Sequence, residues 1–208
     1  MAITKKEALM AIDREREAIC NASDLVWDNP ETAFLEYKSM EILCDLLTKE
    51  GFEVKQNVAN IPTAFTGTFG SGKPVIGFLG EFDALSGISQ VAGCVEKKPL
   101  VEGANGHGCG HNLLGAGAIG AAIAMKEYLE KNGKEGTVVF FGCPYPRRIS
   151  DRLSIMGQKA LGQTRRAAVT FPEGEDGIIF DCNFHVHYTT FFPKSNPFSE
   201  MFHFCIIN

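Results

Sequence analysis

The sequence lacks long hydrophobic runs, basic runs and an apolar N-terminal segment, and each absence removes a class of protein. No stretch approaches the roughly 18 apolar residues that a membrane-spanning helix needs. A net charge of −5 gives no electrostatic basis for binding nucleic acid or an anionic membrane. The opening residues, Met1 to Glu7, are charged and have no signal-peptide core, so we expect a cytoplasmic protein.

Cysteine is present in an odd number, seven in 208 residues, and the positions are scattered along the chain. Without a signal peptide these thiols are expected to be reduced. A functional cysteine is therefore expected to be a metal ligand or a nucleophile and not half of a disulfide.

The first 144 residues alternate between helical and strand patterns of hydrophobicity. Because α/β domains show this alternation, we predict an α/β catalytic domain over residues 1–144, with a mostly parallel central sheet flanked by helices. The predicted helices cover 4–26, 33–50 and 113–131, and the predicted strands cover 52–69 (one or two strands around Ile61-Pro62), 75–79 and 136–142.

After Pro144 the pattern changes, and residues 145–208 form an atypical tail. The segment from Tyr145 to Arg152 is basic, and the end of the chain is rich in Phe and Pro without helical or strand period. We interpret the tail as irregular or as the product of a shifted reading frame. The alternative is an irregular segment that caps the sheet edge.

Two acidic residues, Glu81 and Asp83, stand where the buried strand 75–79 ends. Residues two apart on a strand point the same way, and ligands of open α/β sheets bind beyond the carboxyl ends of strands. Both carboxylates are therefore expected to face one crevice. The alternative for each is a helix cap or a solvated loop position.

The sequence His107-Gly-Cys109-Gly-His111 places a thiol between two imidazoles on a glycine-rich turn. Thiolate and imidazole are good ligands for zinc and similar ions, and the interleaved glycines allow the side chains to converge. A buried cysteine beside a solvated histidine is the alternative. A cysteine nucleophile with a histidine base fits less well, because the spacing of two suits joint metal ligation.

Three segments together resemble one family of enzymes. They are Gly80-Glu-Phe-Asp-Ala-Leu-Ser-Gly87, Glu102-Gly-Ala-Asn-Gly-His-Gly-Cys-Gly-His-Asn-Leu-Leu-Gly115 and Asn29-Pro-Glu-Thr-Ala-Phe-Leu-Glu-Tyr-Lys38. The chain resembles the aminoacylase/carboxypeptidase family of metallo-amidohydrolases (peptidase family M20), in its aminobenzoyl-glutamate-hydrolase-like branch. The resemblance implies a zinc-peptidase-like catalytic domain and a small-molecule amide substrate, an N-acyl or N-aroyl amino acid or dipeptide-like compound.

The resemblance also implies roles for individual residues. Cys109 and His111 match ligands of a divalent metal ion, with zinc or manganese the metals expected. Asp83 matches a catalytic carboxylate that supports the metal site. Glu81 stands where many relatives have a metal-binding His, and His107 matches a motif residue behind the ligands.

The residues after Pro144 depart from the family pattern. Relatives carry two glutamates here, a general base and a metal ligand, whereas this chain has Tyr145-Pro146-Arg147-Arg148, and no general base is identifiable. The lid domain, through which the family usually dimerises, and the later His ligands are also absent. We therefore expect an incomplete catalytic domain in a truncated, impaired chain.

Two alternatives stay open at this point. The tail residues Glu173, Glu175, Asp176, His185 and His187 can in principle supply metal ligands. Otherwise the chain is a non-catalytic remnant that acts as a metal-binding or protein-binding module or has no function.

Overall fold

The structure, a computed structural model, describes residues 2–144 and three later strands whose backbone alone is described. The tail residues that were considered as metal ligands lie outside the described residues. Within the described part, no helix combines the length and apolar character that crossing a membrane requires.

The N-terminal region forms two helices, α1 (Lys5–Arg14) and α2 (Arg16–Asp28), where the sequence predicted one. Thr4 begins α1 with a capping box, because its hydroxyl accepts from the backbone of Glu7 and the Glu7 carboxylate accepts from the backbone of Thr4. The prediction of one continuous helix is wrong at Glu15, whose ψ of 11° interrupts the helical geometry.

Helix α3 (Tyr37–Lys49) starts later than the predicted position 33. The Glu31 carboxylate accepts hydrogen bonds from the backbone N–H groups of Lys38 and Ser39, at 3.2 and 2.9 Å. A carboxylate at this end of a helix satisfies free N–H groups and interacts favourably with the helix dipole. Residues 31–36 therefore stay outside α3 and form a strap that leads into it.

The remaining elements form two sheets and one long helix. In chain order they are β1 (Glu53–Gln56), a 3-10 turn (Val58–Asn60), β2 (Phe65–Ser71), β3 (Val75–Glu81), α4 (His111–Lys131), β4 (Gly136–Cys143), β5 (Ala167–Val169), β6 (Ile178–Phe180) and β7 (Phe204–Ile207). The main sheet has the order β1-β2-β4-β3-β7, and β5 pairs with β6.

The predicted α/β class is confirmed, but a mostly parallel sheet is wrong. Among the described strands only β3 and β4 pair in parallel; β1–β2, β2–β4 and β3–β7 are antiparallel. A parallel pair needs a crossover of about a dozen residues or more. Residues 82–135, which include α4, provide one, whereas the short connection 57–64 between β1 and β2 does not.

The core lies between the sheet and the helices that cover it. Phe65, Phe78 and Phe140 are fully buried, and burial of each such side chain stabilises the fold by roughly 1.5–3 kcal/mol relative to exposure. Helix α4 approaches β3 closely because Gly115 has no side chain: a Cβ there would lie 2.9 Å from the Glu81 carbonyl oxygen. The first turn of α4 is thereby held against the carboxyl end of β3.

Candidate metal centre

The candidate site lies where β3 ends and α4 begins. Glu81 is the last residue of β3, Asp83 lies two residues beyond it, and His111 is the first residue of α4. Gly110 precedes the helix with φ of 81°, a left-handed conformation that glycine adopts without strain. The turn at Gly110 therefore brings His111 back to the sheet edge that carries both carboxylates.

The imidazole of His111 lies between the two carboxylates. Its Nδ1 is 2.7 Å from Oδ1 of Asp83, and its Nε2 is 3.1 Å from Oε2 of Glu81. One ligand atom of each residue lies within 4.8 Å of the others. We call these three residues the carboxylate–histidine cluster, and the predicted convergence of Glu81 and Asp83 is confirmed.

Opposite charges within the cluster shift the pKa of His111 upward. Burial alone would lower the pKa of this imidazole, but the hydrogen bond and charge of Asp83, together with the charge of Glu81, outweigh it. Burial raises the pKa of the Glu81 carboxyl, an effect that the neighbouring His111 partly opposes. In the metal-free protein a proton on His111 therefore satisfies both carboxylates at once.

The cluster also meets the requirements of a divalent cation. Oδ2 of Asp83 is a buried acceptor without a hydrogen-bond partner among the described groups, and Asp83 is only 1% exposed. An unpaired carboxylate oxygen at such a position is costly unless a cation or donor faces it. Carboxylate oxygen and imidazole nitrogen are ligands that zinc and manganese both accept.

Cys109 stands apart from the cluster. The residue is exposed, and its thiol is not within the group of converging ligand atoms. Its neighbour Gly108 packs against Ile88, since a Cβ there would lie 2.5 Å from the Ile88 Cδ1. A role for Cys109 as a metal ligand stays a prediction, and it requires the turn before α4 to move or its side chain to rotate inward.

His107 is buried, at 3% exposure, and fastens the glycine-rich turn to α2. Its Nε2 donates to the Val26 carbonyl oxygen at 3.0 Å if that nitrogen carries the proton. Burial lowers the pKa of His107, which favours the neutral ring. His107 thus holds the turn that carries Cys109 against α2, and its place behind the metal ligands stays a prediction.

Glu36 is a residue near the site that the sequence reasoning did not select. Its side chain is fully buried, Oε2 accepts a hydrogen bond from the Thr63 hydroxyl at 2.9 Å, and the charge of Asp83 contributes to its raised pKa, for which burial is the main cause. Position 36 fell within a predicted amphipathic helix, where a carboxylate is ordinarily solvated. The one sequence signal at Glu36 was its place in the segment 29–38, which is one of the three segments that carry the family resemblance.

The neighbouring strand β4 ends at the same edge of the sheet. Cys143, its last residue, is the register partner of Glu81. Parallel strands present their carboxyl ends together, so the chain leaves β4 beside the carboxylate–histidine cluster. The residues directly after Pro144, 145–166, lie outside the described part, so the expected absence of a general base there stays a prediction.

Comparison with curated proteins identifies a hydrolase and a carboxypeptidase as relatives. The chain is 46% identical over 169 residues to one of the subunits of the p-aminobenzoyl-glutamate hydrolase of Escherichia coli K12, a match that takes in 81% of the chain and 35% of that protein. It is 32% identical over 102 residues to thermostable carboxypeptidase 2 of Saccharolobus solfataricus, covering 48% of the chain and 25% of the relative. No family model matches the chain.

These relatives are much longer than this chain, which spans about a third of the first of them. The match to the Escherichia coli protein takes in more of the chain than residues 1–144 comprise, so it continues beyond Pro144. The domain boundary expected at Pro144 stays a prediction.

Two solved structures share the fold. An aminohydrolase structure from methicillin-resistant Staphylococcus aureus superposes with a TM-score of 0.56 at 22% identity, covering 71% of this chain and 36% of the other. A dinuclear metal-binding peptidase of the M20 family from Bacillus subtilis gives 0.53 at 22% identity, covering 69% and 40%. At this identity the likeness establishes the fold alone.

Proposed function

From the premise that this chain has an N-terminal part like that of an M20 amidohydrolase of the aminobenzoyl-glutamate-hydrolase type, we propose that it carries half of a metal-dependent amidase site. The reaction proposed for the complete site is hydrolysis of an amide bond in an N-acyl or N-aroyl amino acid or a dipeptide-like substrate. The convergence of Glu81, Asp83 and His111 within 4.8 Å is the observation that carries the proposal.

The proposed metal ligands are His111 and Cys109, with Glu81 as a further oxygen donor. Asp83 keeps Oδ1 on Nδ1 of His111, and this contact orients the ring and leaves Nε2 for the ion. A divalent ion in this place supplies an activated water and polarises an amide carbonyl. Glu81 is 3.1 Å from Nε2, so it is the group whose contact with His111 the ion would interrupt.

The part of the proposed site that should follow β4 lacks its expected carboxylates in this chain. Amide hydrolysis needs a group that takes a proton from water and returns it to the leaving amine. The chain has Pro146 and Arg147 where glutamates are expected, followed by Arg148, and cations there would repel a divalent ion. We therefore propose that this chain binds metal weakly and turns over little or no substrate.

The aromatic amide named for the Escherichia coli relative, p-aminobenzoyl-glutamate, is the first substrate to test. Its amide joins an aromatic acyl group to an amino acid, the bond type proposed here. N-acyl amino acids without an aromatic ring form the comparison set, because they separate recognition of the ring from recognition of the amino acid.

Metal content and amidase turnover, measured on one preparation, test the proposal. We expect zinc or manganese binding that depends on His111, together with turnover near background. Brisk turnover with stoichiometric metal would mean that other residues, such as those of the tail, complete the site. Metal binding without any turnover, even after Pro146→Glu and Arg147→Glu are introduced together, would favour the second candidate, a metal-binding module.

A further inference from the structure

Helix α2 is hydrogen-bonded to the chain on both sides of the turn that carries the candidate ligands. On one side, Nε2 of His107 lies 3.0 Å from the Val26 carbonyl oxygen, and both residues are buried. On the other side, the side-chain amide of Asn112 donates to the Ser23 hydroxyl at 3.1 Å. Ser23 and Val26 are three positions apart, so they lie on one face of α2. The four residues 108–111 are therefore held between two fixed positions.

The hydrogen bond between Asn112 and Ser23 lies in the packed interface of α4 with α2. Both residues are only 5% exposed, and apolar groups meet nearby, since a Cβ at Gly120 would lie 3.1 Å from Cδ1 of Ile19. Oδ1 of Asn112 is buried without a hydrogen-bond partner among the described groups, which costs free energy. Replacing both partners of such a pair by apolar groups is close to neutral for stability, or stabilising. Stability alone therefore does not explain this pair.

The first turn of α4 contacts two different neighbours. The His111 ring lies 2.7 Å from Asp83, beyond the end of β3, whereas the next side chain, that of Asn112, reaches α2. Gly110 precedes the helix, and a Cβ there would meet nothing within 4 Å, so packing at Gly110 does not fix the start of α4. Successive residues project at about 100° intervals around a helix. The contact of Asn112 with α2 therefore sets the direction in which His111 projects.

We propose that Asn112 is a positioning residue for the candidate metal centre: its hydrogen bond with Ser23 fixes the first turn of α4 and thereby the imidazole of His111. Because Asn112 directly follows His111, the effect passes through the backbone of one helical turn. This inference rests on the proposed function for its metal, but the contact between His111 and Asp83 that it explains belongs to the metal-free protein.

The first test is nuclear magnetic resonance of the metal-free, full-length chain. The Nδ1–H proton of His111, which faces Asp83, should give a downfield signal that is missing in His111→Ala. Asn112→Leu keeps the approximate volume of the side chain but cannot bond to Ser23, so its His111 signal should broaden beyond detection. Ser23→Ala keeps the backbone carbonyl oxygen, 3.5 Å from the Asn112 amide nitrogen, so its signal should weaken but persist.

The second test is titration of the same variants with Zn²⁺, counting as specific the binding that His111→Ala removes. Loss of a residue that orients a metal ligand weakens binding by roughly 10-fold to 100-fold. We expect a loss of that size in Asn112→Leu and a smaller one in Ser23→Ala. The double variant should bind as Asn112→Leu does, because both changes remove the same hydrogen bond. The unfolding temperature of Asn112→Leu should equal or exceed that of wild type, which a purely structural role does not predict.

The matched control is Ile19→Val, a change in the same interface that leaves the polar pair intact. Ile19 is a buried α2 residue that packs beside Gly120 of α4. We expect a lower unfolding temperature, because a buried methyl group is lost, but a retained His111 signal and zinc affinity within about twofold of wild type.

The two tests have separate outcomes. If Asn112→Leu keeps both the His111 signal and the wild-type zinc affinity, the inference is overturned. It is overturned equally if Ile19→Val loses as much affinity as Asn112→Leu, since interface packing is then the cause. If Asn112→Leu does not fold, Ser23→Ala decides, because wild-type signal and affinity there contradict the inference. If the signal depends on Asn112 but wild type binds no zinc, the positioning role stands and the proposed function fails.

Discussion

The carboxyl ends of β3 and β4 lie side by side, yet they carry opposite chemistry. At the end of β3, the carboxylates of Glu81 and Asp83 lie 3.1 and 2.7 Å from the two ring nitrogens of His111. After β4, whose last residue pairs with Glu81, the sequence runs Pro144-Tyr145-Pro146 and then into two arginines. The end of β3 thus carries groups that could hold a cation, whereas the sequence that follows β4 is itself cationic. The proposed metal binding and the proposed catalysis can therefore be tested separately in this chain.

Removal of the His111 imidazole, at the end of β3, is the substitution from which we expect the largest loss of zinc affinity. His111→Ala deletes the group that faces both carboxylates and leaves Glu81 and Asp83 to repel each other. We expect specific zinc binding to fall by more than about 100-fold, beyond the cost of losing an orienting residue. Isothermal titration calorimetry gives the affinity, and circular dichroism checks the fold. Unchanged affinity would place the metal elsewhere.

Introducing negative charge after β4 tests the difference between the two strand ends from the β4 side. Pro146→Glu combined with Arg147→Glu restores the carboxylates expected after this strand. We predict at least about tenfold tighter zinc binding, since tenfold corresponds to only about 1.4 kcal/mol, less than one close charge pair contributes in a protein. The matched control is Pro146→Gln with Arg147→Gln. An equal gain in the control would show that charge is not the cause.

The contact between α4 and β3 can be loosened without changing the side chain of a proposed ligand. In Gly115→Ala the new methyl group meets the Glu81 carbonyl oxygen, so we expect a loss of about 1–3 kcal/mol in the free energy of unfolding and weaker metal binding. In Gly120→Ala, in the same helix, the new methyl group meets the flexible end of Ile19 at 3.1 Å and makes ordinary contact with Ile12 at 3.7 Å. Urea unfolding should show this control as neutral or as more stable by up to about 1 kcal/mol. Equal losses in the two variants would contradict the close approach at Gly115.

The smallest expected effect is on the pH dependence of the metal-free protein. The pKa of His111 is raised in the folded state, so its contribution to stability is complete below the unfolded value of 6.5 and is lost as pH rises through the folded pKa. Stability should therefore decline with rising pH from about 6.5 upward. His111→Gln should remove this slope, and thermal unfolding across that range measures it. A slope that persists in His111→Gln would have another origin.

The sequence predicted the β3 side well because its signals are local. A buried strand followed by acidic residues and a glycine-rich turn before a helix predicts that Glu81 and Asp83 converge, but the same pattern does not reveal that Cys109 lies exposed and apart from them. The sheet direction was missed because helix–strand alternation does not reveal that β1 and β2 are joined by a connection too short for a crossover. Glu36 was missed because burial of a carboxylate depends on Thr63, a contact across 27 positions that no local pattern encodes.

The position of the bound ion tests the central claim most directly. Zinc-edge anomalous diffraction from crystals of the full chain grown with zinc would locate it. The account predicts a peak at the carboxylate–histidine cluster, on Nε2 of His111 and beside Glu81, with Asp83 still on Nδ1. A crystal in which zinc binds only elsewhere, while His111 stays bonded to both carboxylates, would contradict it.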